Sequence, residues 1–465
     1  MDILALQTAL AERTTEVAEL RESNALLLQR LTELEQKLAQ NSKNSSKPPS
    51  SDGPFKVKKG KSPSGKKRGG QIGHKAHYRA LYPRERVNEH VFVRLTGDCR
   101  CGVAHVHFQK PRRHQVAELP CLQPVVTEYL LQQGRCSGCK RVRCAPLPHG
   151  VKPYCLGPKA TSVLAHLTSE GRMSKAQARN FLQSVFHIRV ATSTVSNFEG
   201  RVASMLELPD AQIAKHIDSS PVQYVDETPF QRGAAVTTAW VRATSDALSF
   251  RVGKKRNAAS HDEVMAHTNE TSIVMSDRYV VYGKRLLDYR ALCLEHLKRN
   301  LFAIEERGGF VGQKAGIIKQ AVIAAMRLDA ERRRGLMEEF EFQEKVFLEK
   351  NLIYETLKGI LYWGHDKIKA LAHVFIVYKD AVWRFVNDIR VEPTNNRGER
   401  GLRSLVIYRK TSFFTQSIRG DRFLERSSSV AGTCKLKKMN PFHYLCDVVK
   451  AAWINQPPPP LIRDF

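Results

Sequence analysis

No apolar run in this sequence approaches the ~20 residues that a bilayer-spanning helix needs, so a membrane is not expected among its partners. The opening Met1-Asp2-Ile3, followed by Glu12, Arg13 and Glu16, lacks the apolar stretch of a secretory signal, and the expected place is the cytoplasm, on the nucleoid. A phosphate-binding loop is missing too: Gly60-Lys61-Ser62 would need glycine at position 55, where Phe55 stands. Acids are short against bases, 46 Asp plus Glu to 74 Lys plus Arg, a formal net charge of +28. That imbalance asks for a polyanion, and nucleic acid leads because neutralising phosphates releases counterions; a generally basic soluble protein is the alternative. Ten cysteines in a reducing compartment read as thiols or metal ligands, not as a disulfide framework.

With 465 residues the chain has material for about three domains and a sizeable core. Glycine and proline are absent from residues 3–38, where positions 3, 6, 10, 13, 17, 20, 24, 27, 31, 34 and 38 follow heptad spacing, broken only by Arg13 and Asn24. Residues 1–40 are therefore expected to form a coiled coil, with Asn24 favouring a parallel dimer; a helix packed on the body is the alternative. Residues 41–82 hold Lys58, Lys59, Lys66, Lys67 and Arg68 among few apolar residues, as suits a disordered linker that lies along phosphates or a plain solvated spacer. In residues 83–150 two close pairs, Cys99/Cys101 and Cys136/Cys139, have the look of a four-thiolate zinc ribbon holding one structural Zn²⁺. The first pair is a residue shorter than usual, and His105, His107 or Cys144 are alternative ligands.

Three short helices are expected between Gly157 and Leu206, the second opened by a capping box at Ser174 and Gln177. The last two, in a domain spanning 151–215, have helix-turn-helix order, which would put Ser193, Thr194 and Asn197 in a DNA groove; plain helix packing is the alternative.

Val222, Tyr224 and Val225 read as a strand that stops on Asp226 and Glu227, with Pro229 limiting further pairing. A second apolar run, Ser272 to Ser276, stops on Asp277, after strands at Thr238–Arg242 and Leu248–Val252. Carboxylates at strand ends suit hard cations, and Glu399 would complete a set of two Asp and one Glu for a pair of Mg²⁺ ions. Glu399 also fits a helix start from Asn396, and Arg400 and Arg403 beside it are available to phosphate oxygens. Cys293 and His296 lie three apart on a helix, where they could bind metal but read more simply as a packed Cys and a polar His. Residues 312–388 are helical in pattern and read as an insertion whose charged run Glu331-Arg332-Arg333-Arg334 faces solvent, splitting a core of 216–311 and 389–465. The prolines at 457–460 read as a loose extended end.

Together these motifs resemble the DDE transposases of the insertion-sequence-66 type along nearly the whole chain. The resemblance is carried by Asn44 to Gly53, Gly70-Gln71-Ile72-Gly73-His74, the paired cysteines, Asp226-Glu227-Thr228, Asp277 with Tyr282, Cys293 to Arg299, Asn395 to Arg403, and Asn440-Pro441 with Tyr444-Leu445. It implies a multidomain α+β protein: an RNase H-like α/β catalytic core with a helical insertion, preceded by coiled coil, basic linker, zinc-ribbon-like module and helix-turn-helix-like domain. Asp226, Asp277 and Glu399 fall on the family's acids, with two Mg²⁺ ions, Mn²⁺ being a substitute. The activity implied is cutting at an element's terminal inverted repeats and joining of the freed 3′-hydroxyl to target DNA. Partners would be DNA, further copies of the chain, and accessory proteins of the same element. A zipper-dimerised zinc-containing regulator without catalysis, or a structure-selective nuclease of the same fold, are the competing readings.

Overall fold

The computed structural model describes residues 3–38, 80–93, 101–102, 112–120, 122–360 and 366–462. Residues 54–124 form one unit by themselves and the rest of the chain forms another. Among the described residues of the smaller unit a 3-10 turn, Arg84–Arg86, follows Tyr82, whose backbone N–H donates to Gln115 Oε1 (2.8 Å) and whose carbonyl accepts from Gln115 Nε2 (3.1 Å).

The larger unit starts with 36 residues of unbroken helix, α1 (Ile3–Leu38). Its seam residues Val17, Leu20, Leu27, Leu31 and Leu34 are exposed, Leu27 by 60%. Further on, β1 (Gln133–Arg135) and β2 (Val142–Cys144) form a small antiparallel hairpin. Helices α2 (Pro158–Thr168), α3 (Lys175–Phe186) and α4 (Thr192–Met205) are the three expected. The capping box is formed: Gln177 N–H donates to Ser174 Oγ (3.2 Å), and Ser174 N–H donates to Gln177 Oε1 (2.9 Å). Leu164, Leu182, Val195 and Phe198 fill the centre of this bundle. α5 (Glu207–Asp218) leads into the sheet.

Five strands make a mixed sheet. β3 (Val222–Arg232), β4 (Ala235–Ala243) and β5 (Leu248–Lys254) are a meander; α6 (Ala258–Met265) then crosses over to β6 (Ile273–Ser276), which joins β3 in parallel, and β7 (Arg290–Leu292) adds outside it. The order is β5-β4-β3-β6-β7. β3 does not end at its acids. It runs through Pro229, which pairs with Thr238 of β4, because β3 has lost its other neighbour after Tyr224 and a one-sided strand tolerates a missing N–H.

α7 (Leu294–Glu305) precedes the stretch 312–388 that reads as an insertion, and α8 (Gly309–Arg332), α9 (Glu339–Ile360), α10 (Asp366–Val377), α11 (Lys379–Val382) and α12 (Arg384–Asn387) follow α7 along the chain. They share one hydrophobic cluster with the sheet, in which Val222, Tyr224 and Met275 join Leu297, Val322, Phe342 and Phe385. The charged run does not simply face solvent. Arg332 is buried, donating to Asp329 Oδ1 (2.7 Å) and the Phe385 carbonyl (2.7 Å), while Arg333 donates to Asp329 Oδ2 (2.6 Å). Those helix-end carbonyls need donors, and a guanidinium offers five.

α13 (Asn396–Thr411) and α14 (Ile418–Leu436) pack on the same face of the sheet as Tyr224, further along β3 to β5, with Leu402, Leu405 and Leu424 against Phe230, Val241 and Phe250, and α15 (Pro441–Trp453) sets Tyr444, Leu445 and Val448 beside Phe423 and Val430 of α14. α14 also seals β5, the outer strand: Leu248, Phe250 and Val252 N–H groups donate to Thr433 Oγ1, Ser429 Oγ and Glu425 Oε2, each at 3.0 Å. Four helical residues rise about 6 Å and two strand residues about 6.8 Å, so the two spacings match. The tail after the prolines is not loose. Leu461 and Ile462 are buried, and Tyr444 OH donates to the Pro459 carbonyl (2.9 Å).

Candidate functional site

Register brings the first two acids together. Val222 pairs with Ile273 and Tyr224 with Met275, so one step further Asp226 stands beside Asp277. Side chains alternate along strands, so both acids share a sheet face with Tyr224 and Met275. Asp226 Oδ1 accepts from the Glu227 N–H (3.0 Å) and Asp277 Oδ1 from the Tyr279 N–H (2.8 Å).

The third acid comes from α13. A Cβ added at Gly398 would lie 2.9 Å from Asn395 Oδ1 and 3.1 Å from Asp226 Cβ, closer than side chains pack, so only glycine lets the helix start touch β3 here. Fully buried Asn395 fixes that approach: its Nδ2 donates to the Val225 carbonyl (2.9 Å) and its N–H to Cys293 Sγ (3.1 Å). The cap expected from Asn396 to Glu399 is not formed. Asn395 holds the cap position with its side chain turned to β3, and the Glu399 N–H donates to the Asn395 carbonyl (3.0 Å). Glu399 Oε1 is sheltered without a hydrogen bond, 3.7 Å from the Arg299 guanidinium.

Burial, then the charges of Glu227, Asp277 and Glu399, push the Asp226 carboxyl well above the ordinary carboxylate range. Its neighbour Glu227 is committed elsewhere, accepting from Arg256 (2.8 Å) and from the Tyr282 hydroxyl. Its raised carboxyl pKa again comes chiefly from burial. Beside Glu399 stand Cys293, whose thiol burial pushes up to about 12, and His296, whose ring burial pulls down toward the neutral form.

The structure thus sets Asp226 beside Asp277 by strand register and seats the start of α13, with Glu399 next after Gly398, against Asp226. Ser193 and Asn197 are exposed near the start of α4 and Thr194 is half-buried, while Val195, Phe198 and Val202 face inward. Arg400 and Arg403 are exposed on α13 and line a cleft of about 540 Å³ with Arg172, Arg397 and Lys435. Cys136 and Cys139 flank the β1–β2 turn, where Cys139 and the Gly138 amide lower the Cys136 thiol pKa. Cys101 is exposed in the smaller unit; Cys99, Lys58, Lys59, Lys66, Lys67 and Arg68 lie outside the described residues. The sequence reading missed the clasp role of Asn395 and set Cys293 and His296 aside. Their only signal was the helical spacing of Cys293 and His296.

Among the described residues no helix is long and apolar enough to cross a membrane. Residues 165–422 match the model of a family described as "Transposase IS66 family", and residues 4–80 that of a family of unknown function. A protein of Sinorhizobium fredii (strain NBRC 101917 / NGR234), named "Uncharacterized protein y4jD", is 24% identical over 297 residues, covering 57% of this chain and 57% of that protein.

Proposed function

Since the chain belongs to the IS66 family of transposases, we propose that it cuts and joins DNA at the ends of a mobile element, with Asp226, Asp277 and Glu399 as its catalytic acids in an RNase H-like core. The observation that supports this reading is the surroundings of Asp226: the parallel register sets Asp277 beside it, and Gly398 seats the start of α13, with Glu399 next in the chain, against it. The donor set fits the implied metal. Three carboxylates offer hard oxygens, Asp226 resists charge unless a cation answers it, and Glu399 Oε1 accepts no hydrogen bond. Mg²⁺ held there would stabilise charge on the attacking and leaving oxygens of an in-line displacement at phosphate. The chain's own part is placement: Asn395 locks α13 to β3, and Arg256 with Tyr282 neutralises Glu227 and keeps it out of the acid set.

DNA affinity would come from the basic segment with Lys58, Lys59, Lys66, Lys67 and Arg68, from Arg400 and Arg403, and from Ser193, Thr194 and Asn197 as groove contacts. The exposed seam of α1 supports self-association.

Asp226→Asn, Asp277→Asn and Glu399→Gln test the reading. With Mg²⁺, each should lose strand cleavage and joining by several powers of ten. Binding to the element's ends should persist, because the basic segments supply it. Three variants that all still cut DNA would overturn it.

A further inference from the structure

We propose that Cys293, His296 and Glu399 form a second metal site, selective for a thiophilic divalent ion such as Zn²⁺, whose occupation takes Glu399 away from Asp226 and Asp277. The regulatory half of this inference rests on Glu399 being one of the catalytic acids. Cys293 caps α7 and His296 follows one turn later on the same face; Glu399 faces them from the first turn of α13. Their ligand atoms all lie within 4.8 Å of one another.

A second observation points to a ligand. His296 Nδ1 and Glu399 Oε1 are both sheltered from solvent without a hydrogen-bond partner. A sheltered polar atom without a hydrogen bond is unfavourable, so two of them at one spot is an arrangement that an ion would relieve. The donor set chooses the ion. Sulfur, imidazole nitrogen and one carboxylate suit Zn²⁺, with a fourth position open, whereas Mg²⁺ prefers oxygen alone. Binding would release the Cys293 proton to the buffer, since a coordinating thiol is deprotonated. A Glu399 carboxylate fixed by this ion no longer completes the acid set on β3 and β6.

Co²⁺ titration of the full-length protein, followed by the thiolate charge-transfer band and by equivalents bound, tests the site. The paired cysteines of the amino-terminal half would contribute equally to wild type, Cys293→Ser and His296→Gln. Wild type should therefore bind one equivalent more than either variant, or bind it more than about tenfold tighter. Equal binding by all three would overturn the site. Two substitutions at different ligands guard against a folding defect in one of them, checked by circular dichroism. In parallel, Zn²⁺ is added to cleavage reactions saturated with Mg²⁺, and the ratio of rates with and without Zn²⁺ is read within each protein. A ratio lowered about tenfold in wild type but near one in the variants supports the withdrawal of Glu399; the same ratio in all three overturns it. Absence of any cleavage in Mg²⁺ would strike at the acid set instead, and the extra Co²⁺ equivalent would still decide the site.

Discussion

Gly398 touches Asp226 so closely that a methyl group on the one would sit 3.1 Å from the Cβ of the other. The start of α13, which carries Glu399, is therefore seated directly on this strand residue. Gly398→Ala should push α13 off β3 and lower Mg²⁺-dependent cleavage by about 100-fold, since small misplacements of reacting groups are that costly. End binding, measured by gel shift, should stay unchanged. Gly401→Ala meets only the Val241 and Leu248 side chains, at 3.2 Å, and is expected to cost more stability than activity.

Asp226 should make metal-free stability depend on pH. Its folded pKa is raised, so the stability it contributes is fully present below its ordinary value of 3.8 and is lost as pH rises through the raised one. In EDTA, the melting temperature of wild type relative to Asp226→Asn should therefore fall from about pH 4 toward neutrality. Mg²⁺ should restore it at neutral pH in wild type and do less in the variant. A flat difference in calorimetry would count against a charged, crowded Asp226.

The outer strand offers a stability test away from the acids. Ser429→Ala removes the acceptor of the Phe250 N–H and should cost about 1–3 kcal/mol in chemical denaturation. Amide exchange at Phe250 should accelerate more than at Trp240, which lies inside the sheet.

A peptide of residues 1–40 should sediment as a parallel dimer. Asn24→Leu should raise its thermal stability and admit other oligomers, because a buried amide is best satisfied across a two-fold axis. A peptide that stays monomeric at high concentration would leave the exposed leucines of α1 needing another partner.

What the sequence made legible was local. Alternating apolar residues gave β3 to β6, and Ser174 with Gln177 gave the start of α3. Asp226 and Asp277 could be paired because parallel strands carry their ends side by side. The contacts between distant segments were not legible. Nothing near Asn395 in the chain announces its bonds to Val225 and Cys293, and nothing near Arg332 announces the carbonyls of Phe385 and Val386. Pro229 misled for the same reason: a proline forbids pairing only on a side where a neighbour waits, and that neighbour is set by the sheet.

The seal of α14 along β5 also bears on how copies of this chain can meet. A bare strand edge invites another chain to continue the ladder, in aggregation or in recognition of an extended peptide. Here the β5 amides of Leu248, Phe250 and Val252 are already engaged, and the opposite margin, β7, is three residues long. Growth of the sheet from one molecule into the next is blocked at β5 and offered little at β7. Copies crowded together on one DNA, as the proposed function has them, would find no edge of the described sheet ready to extend, so a high local concentration would not by that route turn into a fibre.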